Sequence, residues 1–287
     1  MRVKTYSPAV GMMPAVNFHF TRLCQFACVG CFHASSSAHV EPLPRLLLAI
    51  DALADAGVSK INFAGGEPTL FPDQLTQMLV RAKARGMYTS VITNGIRVDD
   101  RFVDEHARVL DMLGVSIDAH TPHMNARIGR QTSRGQQLDL NVLEVARQRC
   151  ASAGVTFKIN TVVNKLNVEA DMSVVIDRFL PERWKLFQHL SVAGENDDAG
   201  HLCISDIEFQ GFVQRHLRYG PIAETNLLMQ SSYVLVNERL QVLDTSAGAK
   251  TPSSMTVIED APRALSHAGF DAANFKLRNG DFYLPSH

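Results

Sequence analysis

The sequence predicts an α/β fold of parallel strands, a partial barrel or an open sheet, followed by a C-terminal extension. Three observations predict it. Strand-like and helix-like segments alternate between residues 16 and 190. They make six β-α steps, whereas a closed barrel of eight takes roughly 250 residues. Past residue 190 the rhythm stops.

The elements follow in chain order. Val16 to Thr21 alternates apolar and polar residues, the mark of a half-buried strand. Leu43 to Ala56 sets Leu46, Ala49, Ile50 and Leu53 on one helix face, and Gly57 stops it. Lys60 to Ala64 is a strand ending in Gly65-Gly66, and Gln74 to Arg85 a helix before Gly86. Tyr88 to Thr93 is a strand closed by the Asn94-Gly95 turn, and Asp99 to Val109 a helix. Met112 to Asp118 is a strand, Gln137 to Ala153 a helix, Thr156 to Asn164 a strand and Ala170 to Phe179 a helix. Trp184 to Leu190 is the sixth strand. Beyond it lie two helical patterns, Ser205 to Leu217 and Val257 to Ala268, and a strand pair, Tyr233 to Val236 with Leu240 to Leu243. We divide the chain into a tail (1–12), a barrel (13–190) and an extension (191–287) that closes the barrel.

Composition sets bounds. The chain has 287 residues, 46% of them hydrophobic and 20% charged, with a net charge of −1. No overall basic field points to nucleic acid or an anionic membrane. No apolar run approaches the ~18 residues of a membrane span. The N-terminus has no apolar leader pattern. The five cysteines, three of them crowded together, do not form a disulfide framework. A crowded thiol cluster suits a reducing cytosol, so a cytoplasmic protein is expected.

The strands of a buried parallel sheet should be apolar on both faces. Here each carries a polar face. Asn17, His19 and Thr21 share one side of the first strand, because successive side chains alternate. Lys60 and Asn62 share a side of the second, and Ser90 and Asn94 mark the third. Ser116 and Asp118 mark the fourth, Lys158 and Asn160 the fifth, and Arg183 and Lys185 the sixth. With helices outside, this set points inward. Lys60, Lys158, Arg183 and Lys185 would repel one another there, and buried charge is costly unless paired. Asp118 would neutralise one of them. A ligand of about −4, such as a nucleoside triphosphate, matches the surplus. The plainer alternative leaves some of these cations at strand ends in solvent.

Cys24, Cys28 and Cys31 stand at C-x3-C-x2-C directly after the first strand. A structural zinc needs four ligands, with His33 as the fourth, but zinc patterns usually come as two separated pairs. A four-iron cluster held by three thiolates leaves one iron open to bind a ligand. Cys150 and Cys203 read as ordinary thiols.

Cysteines in this spacing, followed by Gly65-Gly66-Glu67-Pro68 after the second strand, resemble the signature of radical S-adenosylmethionine enzymes. The likeness narrows to the viperin family in His19-Phe20-Thr21, Cys31-Phe32-His33, Lys60-Ile61-Asn62-Phe63 and Phe157-Lys158-Ile159-Asn160. Arg183-Trp184-Lys185, Gly194-Glu195-Asn196, Tyr233 in its Ser-Tyr-Val-Leu context and Gly269-Phe270-Asp271 extend it from about residue 13 onward. The family's N-terminal membrane-binding helix has no counterpart here, which points to a prokaryotic-type member.

The resemblance implies a partial (β/α)6 barrel of radical SAM type and two cofactors, a [4Fe-4S] cluster and S-adenosylmethionine. It implies that CTP, or in some members UTP or GTP, becomes its 3′-deoxy-3′,4′-didehydro analogue, an antiviral chain terminator. Cys24, Cys28 and Cys31 would then hold the cluster. Gly65, Gly66, Glu67, Asn94, Ser116 and Arg130 would meet the cofactor. Lys60, Lys158, Arg183 and Lys185 would bind the triphosphate, Asn17, Asn62 and Asn160 the nucleoside. Tyr233 matches a tyrosine near the ribose and is the candidate proton donor, although a core tyrosine would read the same. The implied partners are the triphosphate and an electron donor such as a flavodoxin or ferredoxin, with no nucleic acid and no membrane.

The chain departs from the family at three places. Gly30 stands where an aromatic residue commonly precedes the third cysteine. Ala64 replaces a serine before GGEP, and a C-terminal basic run is thinned to Lys250. Two other readings remain: a radical enzyme acting on a peptide or cofactor precursor, and a zinc-stabilised binding protein without catalysis. Peptide-modifying members often carry further cysteine clusters, which Cys150 and Cys203 do not form.

Overall fold

The structure is a computed structural model that describes residues 15–33, 37–247 and 249–283. The expected tail, residues 1–12, lies outside them. Six strands carry the barrel: β1 (Ala15–His19), β2 (Lys60–Ala64), β3 (Tyr88–Thr93), β4 (Met112–Ser116), β5 (Thr156–Val163) and β6 (Arg183–Gln188). Residues beyond 190 add β7 (Ile222–Glu224), β8 (Leu235–Val236), β9 (Gln241–Asp244) and β10 (Thr251–Thr256). All ten form one sheet in the order β10-β9-β8-β1-β2-β3-β4-β5-β6-β7. From β8 through β1 to β7 every pairing is parallel, while β9 and β10 are antiparallel.

The partial barrel is as expected, but backbone pairing does not close it, because β10 and β7 are its two edges. Side chains span the gap instead. The Tyr233 hydroxyl, just before β8, donates to the Glu224 carboxylate of β7 at 2.5 Å. The sheet must curl round to bring β7 against the segment leading into β8.

Helices cover the outer face. They are α1 (Leu43–Asp55), α2 (Pro72–Ala84), α3 (Asp100–His106), α4 (Pro122–Ile128), α5 (Leu140–Ala153) and α6 (Ser173–Phe179). The extension adds α7 (Asp206–Arg215), α8 (Asn226–Met229), α9 (Ala261–Ser266) and α10 (Ala272–Leu277). Caps set several starts later than apolar periodicity alone suggests. Asp139 accepts from the Asn141 N–H at 2.8 Å, so α5 begins at Leu140 rather than Gln137. Asp260 accepts from the Arg263 N–H at 3.1 Å, so α9 begins at Ala261, and Val257 instead donates to the Leu240 carbonyl. The strands' apolar faces, including Phe18, Phe63, Leu113, Phe157 and Leu186, pack on Leu46, Ile50, Leu79 and Leu143 of those helices.

Register fixes the inner face. Asn17 pairs with Asn62 and Asn62 with Ser90. Lys158 pairs with Arg183, and Asn160 with both Ser116 and Lys185. Paired residues point to the same side, so the polar set shares the lumen.

Candidate active site

The C-terminal end of the barrel carries the cysteine loop. Two glycines let β2 exit directly beneath it. Gly65 has φ +138°, and a Cβ there would stand 2.3 Å from the Thr21 carbonyl oxygen. A Cβ on Gly66 would stand 2.1 Å from the Leu23 oxygen. Their close approach allows Gly66 N–H to bond Thr21 O at 2.7 Å and Glu67 N–H to bond Leu23 O at 2.8 Å. The Glu67 side chain points inward. It is fully buried and accepts from Thr69 N, Thr69 Oγ1, Thr93 Oγ1 and Asn94 N at 2.6 to 3.0 Å. It therefore locks the turn to the end of β3, and only the backbone of this motif is left to meet a ligand.

Cys24, Cys28 and Cys31 are free thiols on that loop. Val29 N–H anchors it to Ile128 O at 3.0 Å, and Asn94 Nδ2 donates to Cys24 Sγ at 3.7 Å. Burial pushes all three thiols up, Cys28 to about 12. They become thiolates only if a metal stabilises them. Among the described residues, no three His, Cys, Asp or Glu side chains converge on a point that would hold one ion. Cys150 is buried in α5 and Cys203 is exposed.

Beside the loop a cleft is lined by Phe26, Ser116, Ile117, Asn125 and Arg130. Arg130 donates to Asp118 Oδ2 at 2.9 Å and to the Ser116 carbonyl. Asp118 also accepts from Val162 N–H at 2.7 Å. It is thus spent at this end, and the expectation that it neutralises a lumen lysine is wrong. Two positions past the end of β4, it has left the inward face.

The opposite end of the lumen is cationic. Lys60, Lys158, Arg183 and Lys185 are all buried there, as strand parity predicts. Two residues that the sequence did not reveal join them. Glu224 is fully buried and takes Lys185 Nζ as well as the Tyr233 hydroxyl. Arg278, past α10, lays its guanidinium 3.6 Å from the centre of the Tyr233 ring and donates to Ser232 O at 2.7 Å. Among the described residues, Lys60, Lys158 and Arg183 have no carboxylate within ion-pair distance, so five cations face Glu224 alone. Aromatic faces stand in for anions. Lys60 Nζ is 4.2 Å from the Phe282 ring centre and 4.9 Å from that of Tyr88, and Arg183 lies 3.6 Å over Phe282. Burial, then the neighbouring cations, pulls Lys60 and Lys158 well below the ordinary lysine value. Burial lowers Lys185 to about 8 against the pull of Glu224. Burial also raises Tyr233 well above a free phenol.

Between the two ends, Asn62 Nδ2 donates to Asn17 Oδ1 at 2.9 Å and Ser90 donates to Asn62. Among the described residues, Asn160 Oδ1 is buried with no partner. The departures from the family pattern also acquire places. A Cβ on Gly30 would stand 2.6 Å from His189 Cε1, so the imidazole at the end of β6 fills that space. Lys250 is not in the lumen. It donates to the Phe32 carbonyl and pairs with Glu195 at 3.2 Å, bracing the cysteine loop.

Residues 18–163 match the Radical SAM superfamily. Over 96% of its length the chain is 34% identical to the S-adenosylmethionine-dependent nucleotide dehydratase RSAD2 of Oncorhynchus mykiss, covering 82% of that protein. The chain belongs to the viperin family of radical S-adenosylmethionine enzymes. A bacterial viperin relative, the S-adenosylmethionine-dependent nucleotide dehydratase of Flammeovirga pacifica, is 32% identical over 94% of this chain and 95% of its own. Two solved structures share the fold. Native anSMEcpe with bound AdoMet and Kp18Cys peptide has a TM-score of 0.66 at 14% identity, over 91% of this chain and 83% of that one. Streptococcus suis SuiB bound to S-adenosylmethionine has 0.65 at 14%, over 93% and 68%. Family membership brings a [4Fe-4S] cluster and S-adenosylmethionine, and it sets aside the non-catalytic zinc protein. Among the described residues no helix is long and apolar enough to cross a membrane.

Proposed function

We propose that this viperin removes water from the ribose of a nucleoside triphosphate, CTP or alternatively UTP or GTP, giving the 3′-deoxy-3′,4′-didehydro nucleotide. One observation carries the reading: among the described residues, five buried cations face a single carboxylate at the far end of the lumen that opens beneath the cysteine loop. A triphosphate of about −4 balances that surplus.

The chain's residues fit the cofactors. Cys24, Cys28 and Cys31 are uncommitted thiols on one loop, and the backbone at Gly65 and Gly66 makes a cradle that a Cβ would fill. Asn94, Ser116 and Arg130 line the approach beside them. With cluster and S-adenosylmethionine bound, this end supplies a 5′-deoxyadenosyl radical able to take the ribose 4′ hydrogen. The chain's own work is positioning and proton supply. Lys60, Lys158, Arg183 and Lys185 grip the phosphates by charge-assisted hydrogen bonds. Asn160, with its unpartnered oxygen, and the Asn17–Asn62 pair meet the nucleoside. Tyr233 holds a proton for the departing 3′ hydroxyl, and its raised pKa keeps the phenol protonated. The Tyr233–Glu224 contact across the open seam helps to keep water from a radical. An electron from a flavodoxin- or ferredoxin-type donor completes the balance. The product, lacking a 3′ hydroxyl, would end a polymerase's chain.

Binding of CTP and of cytidine to the reconstituted protein tests this reading. Tight binding of CTP, weak binding of cytidine and loss of the difference in Arg183→Ala support it. Equal affinity for both in the unaltered protein refutes it.

A further inference from the structure

Glu224 is the buried charged group that the proposed chemistry leaves unused. It is fully enclosed, at the end of the three-residue strand β7, and its carboxylate is placed among the phosphate-binding cations. One oxygen takes Lys185 Nζ and lies 3.9 Å from Arg278 Nη1. The other accepts the Tyr233 hydroxyl at 2.5 Å. Lys185 Nζ spends a second proton on the Arg278 carbonyl at 3.2 Å, so at most one donor remains for a ligand. Arg278 in turn covers the Tyr233 ring. Three groups from three separate segments thus meet on one carboxylate.

Two consequences oppose each other. In the substrate-free protein Glu224 is the counter-charge that makes five crowded cations tolerable. Toward a triphosphate it is a competitor, because it occupies Lys185 and adds a like charge beside the phosphates. At the same time it fixes where the Tyr233 ring and oxygen sit, since a short bond to a buried carboxylate anchors the phenol, whose one proton rests on Glu224 until the hydroxyl turns to the substrate.

We propose that Glu224 is an internal competitor for the triphosphate and the positioning residue of Tyr233, trading substrate affinity for a phenol held in place. The proposal rests on the lumen being the triphosphate site. It separates two quantities that a purely structural role would move together. Removing the negative charge tightens phosphate binding, while weakening the bond that anchors the phenol slows dehydration.

The test uses Glu224→Gln and Glu224→Asp in the reconstituted full chain, with inorganic tripolyphosphate and CTP as probes. Glu224→Gln binds tripolyphosphate about tenfold or more tightly. Its thermal stability falls without ligand and rises more on adding tripolyphosphate than that of the unaltered protein. Its single-turnover rate at saturating CTP falls by about tenfold, and a Tyr233→Phe exchange in the same chain adds little further loss. Glu224→Asp keeps the charge but is too short to reach both Lys185 and Tyr233. It binds tripolyphosphate within about threefold of the unaltered protein and still slows turnover, which serves if Glu224→Gln does not fold. Unchanged or weaker tripolyphosphate binding in Glu224→Gln overturns the competitor role. An unchanged turnover rate in both variants overturns the positioning role. Lys158→Ala is the control for the underlying site: if it binds tripolyphosphate as the unaltered protein does, the lumen is not a phosphate site at all.

Discussion

Lys158→Met should make the substrate-free protein more stable and the substrate bind more weakly. Lys158 is 8% exposed and, among the described residues, has no carboxylate partner. Burial, then Lys185, Arg183 and Arg278, all work against its charge, and only Glu224 favours it. Methionine keeps the unbranched stem and the packing while removing the ammonium. Replacing buried charge by an apolar group of similar size typically gains about 1–3 kcal/mol. For a chain of this size each kcal/mol raises Tm by roughly 2–4 °C. The same change removes a charge-assisted hydrogen bond to a phosphate, worth about 1.5–3 kcal/mol, or roughly ten- to a hundredfold in Kd. Anaerobic thermal unfolding without nucleotide and calorimetric titration with CTP read the two effects. A lower Tm together with unchanged CTP affinity would falsify the view that these cations are held under strain for a polyanion.

Titration gives a second expectation. Lys185 is lowered to about 8, so CTP affinity should fall as pH rises through that value, and binding near pH 8 should take up protons. Calorimetry in two buffers of different ionisation enthalpy detects the uptake, and proton release would contradict it. Stability without substrate has its own sign. The folded lysine is harder to protonate than the unfolded one near 10.5, so stability should increase from about pH 8 upward in that window. At the other end of the barrel, Gly66→Ala places a Cβ 2.1 Å from Leu23 O and should lower iron and sulfide content after reconstitution. Gly200→Ala, with open space around it, should load normally. Finally, Gly30→Tyr should destabilise the protein and weaken S-adenosylmethionine binding, because His189 fills that space. Adding His189→Ala should recover most of both losses, and additive damage in the double variant would show that the two positions are independent.

Strand parity located Lys60, Lys158, Arg183 and Lys185 because a period of two survives wherever one face of a strand packs on helices. The same rule failed two residues beyond a strand end. Asp118 lies past β4, where alternation no longer fixes direction, and Arg130 from twelve residues on captures it. Glu224 was illegible for a different reason. Ile222–Glu224 is three residues long and follows Pro221, too short for any period to show. Its burial is decided by the curl that brings β7 against Tyr233. Arg278 and Lys250 act across gaps of 46 and 218 residues, to Ser232 and Phe32, which no local pattern encodes. The edge strand β10, which the sequence reading did not include, carries Pro252, a residue found in sheets only at edges. The cysteine loop and the two glycines beneath it were legible because backbone contact there admits no side chain.

The most direct test of the account is one incubation. The reduced, cluster-reconstituted protein is mixed with S-adenosylmethionine and, separately, with CTP, UTP and GTP, each carrying deuterium at the ribose 4′ position. At least one triphosphate should yield a product lighter by one water and its lost label, with deuterium recovered in 5′-deoxyadenosine. Cofactor cleavage without deuterium transfer from any of the three would contradict nucleotide dehydration as the work of this lumen.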